Sequence, residues 1–265
     1  MEDTATPTAF DAWTQPITLY YPNGSNFTTS MDAINIYRLY STRLAISYGT
    51  QIGASIILLL VLLLLTRSEK RKSSIFILNS LCLVGNSLRC IFSCCFLTGN
   101  LLHPYAQLSG DTSRATTRDL AVSVTSNTLS LIVNMLVMGS LSLQVWVVCV
   151  TTSRLQRILI MSTTTAIALV SIGYKFAFMI VSNRATVQLT SLPDNDRIGA
   201  SSYITQAAAI LFYSCVFTWK LGYAIVQRRR LKMLQFGPMQ IVFIMGCQTM
   251  IIPGTLSSAL CHSHD

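Results

Sequence analysis

Residues 56–65 read Ile-Ile-Leu-Leu-Leu-Val-Leu-Leu-Leu-Leu. A helix on the surface of a water-soluble protein needs a polar face, and ten consecutive aliphatic residues leave it none. The run lies inside an apolar block of about 44–66. Such a block matches the roughly 20 helical residues that cross a hydrocarbon layer of about 30 Å. Five further blocks follow, at about 75–98, 120–150, 158–181, 203–226 and 239–260. Ser, Thr and Asn dilute the third and fourth, but Ser and Thr hydroxyls can bond to their own helix carbonyls and remain in a span. Only 11% of the 265 residues are charged, against roughly a quarter in soluble domains. The predicted fold is an all-α, polytopic membrane helical bundle, with residues 1–43 as a polar segment ahead of it and 261–265 as a short end.

Basic residues set the expected orientation, because Lys and Arg collect in cytoplasmic loops. The loops after spans one, three and five hold Arg67, Lys70, Arg71 and Lys72; Arg154 and Arg157; and Arg228, Arg229, Arg230 and Lys232. That is ten bases against one acid, Glu69. The alternate loops are balanced, with Asp111, Arg114, Arg118 and Asp119 in one, and Arg184, Asp194, Asp196 and Arg197 in the other. The N-terminus is therefore expected outside the cytoplasm, in a multi-pass membrane protein. Two glycosylation triplets, Asn23-Gly24-Ser25 and Asn26-Phe27-Thr28, fall in that outer segment. The net charge of +9 reflects this loop asymmetry and does not point to nucleic acid. The polar N-terminal segment lacks the apolar core of a cleavable signal, so span one is expected to act as the targeting signal.

Little in the chain suggests an enzyme. Its three histidines are His103, in an outer loop, and His262 and His264, near the C-terminus. No paired acids or His/Asp clusters fall within a span, and hydrolytic or metal chemistry needs such groups. No metal or cofactor is expected. All eight cysteines lie in or beside apolar blocks, where they read as small apolar side chains rather than a disulfide framework.

The polar residues inside the spans carry more information. Arg89, Lys175 and Lys220 are intramembrane charges, which are functional candidates by default. Lys220 can snorkel to the headgroups, and Arg89 reads as a polar contact between helices. Asn79, Asn86, Asn127, Asn134, Gln144 and Gln248 can bridge helices at roughly 0.6 to 2 kcal/mol each. Each could be a static bridge. Six together suggest an interior with exchangeable hydrogen bonds, as in a receptor or a transporter. Gly49 and Gly53 form a GxxxG in span one, a packing or dimer face. Pro253 kinks span six, as a static bend or as a hinge.

Taken together, several strings resemble the fungal alpha-factor mating pheromone receptors, the class D G-protein-coupled receptors. Thr66-Arg67-Ser68-Glu69-Lys70-Arg71-Lys72-Ser73-Ser74-Ile75-Phe76-Ile77-Leu78-Asn79 looks like the family's basic first loop running into an Ile-Phe-Ile-x-Asn second span. Asn127 and Gln144 match two polar positions of span three. Asp196-Arg197 is similar to an acid-base pair in the third outer loop. Lys220, Arg228, Arg229 and Leu231 fit the span-five pattern, and Gln235-Phe236 opens the match to span six. Ile244-Met245-Gly246-Cys247-Gln248-Thr249-Met250-Ile251-Ile252-Pro253 resembles that sixth span.

The resemblance implies a receptor for a secreted peptide mating pheromone, coupled through a heterotrimeric G protein to the mating response. It puts Tyr48, Gln51, Asp196, Arg197, Ser202 and Tyr203 near the ligand. Asn79, Asn127, Gln144, Gln248 and Pro253 would hold or release the inactive state. Arg157, Arg228, Arg229 and Leu231 would face the G protein, and Gly49 and Gly53 would pack at a homodimer. Lipid is the remaining partner. The family carries a seventh span, with a Leu-Pro-Leu-Ser-Ser-like motif, and a cytoplasmic tail. After Pro253 the chain looks unlike that continuation, so the expectation is a receptor truncated before span seven. The alternatives are a non-signalling fragment that dimerises, or a membrane transporter. Neither internal repeats nor paired intramembrane charges support transport. A reporter enzyme active only in the cytoplasm is expected to work when fused within residues 67–72 and to be silent within 111–119. The reverse pattern would sink the orientation.

Overall fold

A computed structural model describes residues 11–150, 153–189 and 195–230. The chain opens with a hairpin, β1 (Pro16–Tyr20) and β2 (Asn26–Ser30). The strands pair antiparallel, with Pro16 opposite Ser30 and Tyr20 opposite Asn26. Asn23-Gly24 makes the turn, and Gly24 takes φ 83°, a conformation that costs a residue with a Cβ. The Asn23 side chain accepts from the Ser25 amide at 3.0 Å and the Ser25 hydroxyl at 2.7 Å.

The helices follow: α1 (Met31–Leu65), α2 (Ser74–Leu97), the short α3 (Pro104–Ser109), α4 (Thr117–Cys149), α5 (Arg154–Gln188) and α6 (Asn195–Arg230). Among the described residues, five helices are long and apolar enough to cross a membrane: α1, α2, α4, α5 and residues 197–220 of α6. This is a multi-pass membrane protein. Span six, with Gln248 and Pro253, lies outside the described residues, as do Leu231 and the pair His262 and His264.

Local chemistry sets the helix starts. Ser30 Oγ accepts from the Ala33 amide at 3.1 Å, so α1 begins well ahead of its apolar block. Ser73 caps α2 through the Phe76 amide. Thr116 and Asp119 form a reciprocal capping box at α4. Each cap satisfies amides that the first helical turn leaves unbonded. At the other end of α1, Arg71 donates to the carbonyls of Leu63 at 2.7 Å and Thr66 at 3.1 Å. A basic loop residue thus covers acceptors that the helix end exposes.

The order of the bundle is α1 against α2, α2 against α4, and α4 against both α5 and α6, which also pack on each other. Helices α2 and α4 approach closely because Gly85 has no side chain: a Cβ there would lie 3.2 Å from Val133 Cγ2. The core is built from Met138, Val145 and Cys149 of α4, Ala168 of α5, and Ala209 and Tyr213 of α6.

The burial pattern is that of a protein dissolved in lipid. Leu64, Leu155, Ile204 and Trp219 are exposed. Ser93, Ser140, Thr164, Ser171 and Lys175 are buried. Hydrocarbon satisfies no hydrogen bond, so polar side chains turn inward. The thiols divide: Cys90 and Cys149 are buried, while Cys95 and Cys215 are exposed. The small-apolar reading thus describes an interior thiol for the first pair and an exposed one for the second.

Tyr213 ties three helices together. Its hydroxyl donates to the Thr164 carbonyl of α5 at 2.9 Å and lies 2.8 Å from Ser142 Oγ of α4. Tyr213→Phe is expected to lower the unfolding free energy in detergent by about 1 kcal/mol, with Trp219→Phe near neutral. Equal stability of Tyr213→Phe and its parent would show that this junction adds nothing.

Candidate functional site

Near the hairpin end of the bundle the helices leave a cavity of about 60 Å³. Helix α1 contributes Tyr48, α2 contributes Arg89 and Ser93, and α6 contributes Tyr203. Ser126, Asn127 and Ser130 enter from α4, and Lys175, Phe178 and Met179 from α5. The spacing of these residues follows helix geometry. Residues 89 and 93, or 126 and 130, lie one turn apart on one face.

Arg89 is held from two sides. Its Nη2 donates to Gln51 Oε1 of α1 at 2.8 Å and to Asn86 Oδ1 at 3.2 Å. Asn86 in turn donates to Ser55 Oγ of α1 at 3.0 Å. The guanidinium also stands over the Tyr48 ring at 6.0 Å. Arg89 therefore is the interhelical polar contact that its position in span two implies. Lys175 is only 3% exposed. Its Nζ lies 4.5 Å from the Tyr203 ring centre and 5.4 Å from that of Phe178, distances at which a ring face attracts a cation. Ser93 Oγ and Ser126 Oγ are 2.9 Å apart and close the floor between α2 and α4.

The ligand-side expectations divide. Tyr48 and Tyr203 come together in the cavity wall. Gln51 acts one step back, through Arg89. Ser202 is fully buried, and its hydroxyl has no partner among the described residues. Arg197 is exposed in the first turns of α6. Asp196 belongs to the same helix, and its side chain lies outside the description. Arg89 and Lys175 stand out in the sequence as intramembrane charges. Their common cavity does not, because α2 and α5 are brought together only by packing. Ser93, Ser126, Ser130, Phe178 and Met179 carry no local signal that separates them from other span residues.

The switch residues form two separate groups. Asn79 Oδ1 accepts a short bond from Ser140 Oγ and a second from Gln144 Nε2 at 3.4 Å. This joins α2 to α4. Asn127 Nδ2 instead donates to Ser182 Oγ and Asn183 Oδ1 of α5, both at 3.0 Å. Seventeen residues of helix, about 25 Å, separate Asn127 from Gln144. Asn127 borders the cavity and Gln144 sits toward the opposite end. Arg157 Cζ lies 5.2 Å from the Trp146 ring centre at that opposite end. Arg228 and Arg229 close α6; their side chains lie outside the description. A Cβ at Gly49 or Gly53 would meet nothing within 4 Å, so no helix among the described residues uses that small-residue face.

A bundle of membrane helices, a polar cavity at one end and interhelical amides below it can serve a receptor or a carrier. Sequence comparison decides between them. Residues 10–262 match the family model described as fungal pheromone mating factor STE2 GPCR. The chain belongs to this family. The family is one of G-protein-coupled receptors of the fungal pheromone type, a non-enzyme kind of protein. It is 26% identical over 249 residues to the pheromone P-factor receptor of Schizosaccharomyces pombe, a match covering 89% of this chain and 69% of that one. It is 28% identical over 241 residues to the pheromone alpha factor receptor of Saccharomyces cerevisiae, covering 90% of this chain. The chain spans about half, 54%, of that relative's length. The family match continues past Pro253, beyond where the motif resemblance ends.

The two amide groups make a separable prediction. Asn79→Leu and Gln144→Leu are expected to be non-additive in unfolding free energy, by about 0.5–1 kcal/mol. Asn127→Leu should add to either one. Full additivity of the Asn79 and Gln144 changes would refute the shared network.

Proposed function

We propose that this protein is a plasma-membrane receptor for a secreted peptide mating pheromone, acting through a heterotrimeric G protein on the mating response. The observation that carries the reading is the family match over residues 10–262. The two relatives named above are both pheromone receptors. The interior agrees with such a role. A polar cavity opens among α1, α2, α4, α5 and α6 at the hairpin end, and a basic loop series borders the other.

In this reading the N-terminus is extracellular, and Asn23 and Asn26 are glycosylated. Both are exposed, Asn23 in the hairpin turn and Asn26 opening β2. Peptide enters the cavity from that side, against Tyr48 and Tyr203, with Gln51 positioning Arg89. Ser202, Arg197 and Asp196 belong to the adjoining part of α6. Binding shifts span five, which is α6, and span six, and the Asn127 and Asn79–Gln144 groups exchange partners as α4 shifts. Gln248 and Pro253 act in the same step on span six. Arg157, Arg228, Arg229 and Leu231 meet the G protein at the opposite end. Two receptors pack through Gly49 and Gly53, whose face meets none of the described residues within 4 Å.

The test uses medium conditioned by cells of the opposite mating type. Applied to cells expressing the receptor and a G-protein-dependent reporter, it is expected to give a saturable response that protease digestion of the medium abolishes. A response that survives complete digestion would overturn the peptide reading. Gly49→Leu with Gly53→Leu is expected to reduce energy transfer between co-expressed tagged receptors at equal surface level. Unchanged transfer would remove the dimer assignment.

A further inference from the structure

Two cations enter one small cavity with no acid beside them among the described residues. Arg89 reaches it from α2 and Lys175 from α5. Their partners among the described residues are all neutral. Gln51, Asn86 and Cys90 bond Arg89, and the Phe178 and Tyr203 rings face Lys175. The whole sequence has ten acidic residues, and none falls within any of the six apolar blocks. The acids that do lie on the long helices, Asp32, Asp119 and Asp196, sit in their first turns, outside the apolar blocks.

Burying a charge is costly unless a counter-charge comes with it. Aromatic rings and amides orient a cation but do not neutralise it. Lys175 is 3% exposed, so water at the surface does little for it. The bonds that hold Arg89 use Nε and Nη2. A guanidinium has five N–H donors in a planar fork, and none of the bonds among the described residues uses Nη1, which remains for a ligand in this arrangement. The rest of the wall supplies hydroxyls from Tyr48, Ser126, Ser130 and Tyr203. A volume of about 60 Å³ admits a group of a few atoms, such as one carboxylate, and not a whole peptide.

We infer that this cavity is a carboxylate-binding subsite, in which Arg89 and Lys175 take one carboxylate of the peptide ligand between them. The inference rests on the receptor reading above and extends it to the chemistry of the ligand. The peptide carries its carboxylate either at its C-terminus or on an Asp or Glu side chain. In both cases the acid supplies the counter-charge that the described part of the bundle does not. Binding would tie α2 to α5 through one group, while Gln51 and Asn86 keep the guanidinium aimed.

The active peptide, purified from conditioned medium and sequenced, is made synthetically in three forms: unmodified, C-terminally amidated, and with each Asp and Glu replaced by its amide. On the parent receptor, one of the two neutralised forms is expected to lose more than roughly tenfold in potency, the scale of one charge-assisted bond. Which one loses identifies the carboxylate. Lys175→Gln and Arg89→Gln are expected to weaken the unmodified peptide to a similar degree. They should be nearly indifferent to the neutralisation that the parent detects, because the same interaction is already gone. Lys175→Arg, which keeps the charge, should retain most of the potency. Surface labelling of every variant separates a folding loss from a binding loss.

Equal potency of all three peptides on the parent would overturn the subsite and leave the receptor reading intact. So would a further loss, in the Lys175→Gln and Arg89→Gln receptors, as large as in the parent. An unmodified synthetic peptide that does not activate the parent would instead count against the receptor reading.

Discussion

Hydrocarbon offers no partner to a polar group, and α4 shows how the bundle answers that constraint. Four sets of hydrogen bonds run along it. Ser123 and Asn127 reach α5, Ser126 meets Ser93 of α2, Ser140 and Gln144 meet Asn79 of α2, and Ser142 meets Tyr213 of α6. The apolar effect that drives folding in water does little here, since Leu is as much at home in lipid as in the core. Register among α2, α4, α5 and α6 therefore depends on which amide or hydroxyl finds which partner, and on close contacts such as Gly85 with Val133.

The same constraint bears on the proposed switching of the bundle between states. Each interhelical bond contributes modestly, and Asn127 and Gln144 sit on different turns of one helix with different neighbours. A helix held by several weak, separate bonds has alternative arrangements of similar energy. That is what a two-state element needs in a receptor that switches. The interior is not fully satisfied either. Among the described residues, both amide atoms of the buried Asn134 and the hydroxyls of Ser171 and Ser202 lack partners. Such groups favour any rearrangement or internal water that supplies one.

Some of this was legible in the residue string. The span pattern rests on local hydropathy, which reads one residue at a time. The capping signals at Ser30, Ser73 and Thr116 are also local. The Asn23-Gly24 turn between alternating residues was a readable hairpin signal. That signal is weak, because the segment is short and polar and has no apolar run. Helix α1 begins at Met31, where an N-cap decides the start and hydropathy does not. Arg89 and Lys175 stood out as charges in lipid. Which of them would meet Gln51, Tyr48 or Tyr203 did not, because those contacts join residues far apart in the chain.

The sequence by itself determined that this protein crosses a membrane several times, and its motifs marked it as kin to fungal pheromone receptors. Both follow from local properties: the length of an apolar block, the side on which Lys and Arg gather, and short strings in a set order. Only the tertiary structure decided that Arg89 and Lys175 share a cavity with Tyr48 and Tyr203, and that Asn79 and Gln144 form one group while Asn127 forms another. The physical reason is that a helix displays a polar residue without choosing its partner. The choice is made by which faces pack, and in lipid that depends on the summed fit of small side chains and interhelical hydrogen bonds.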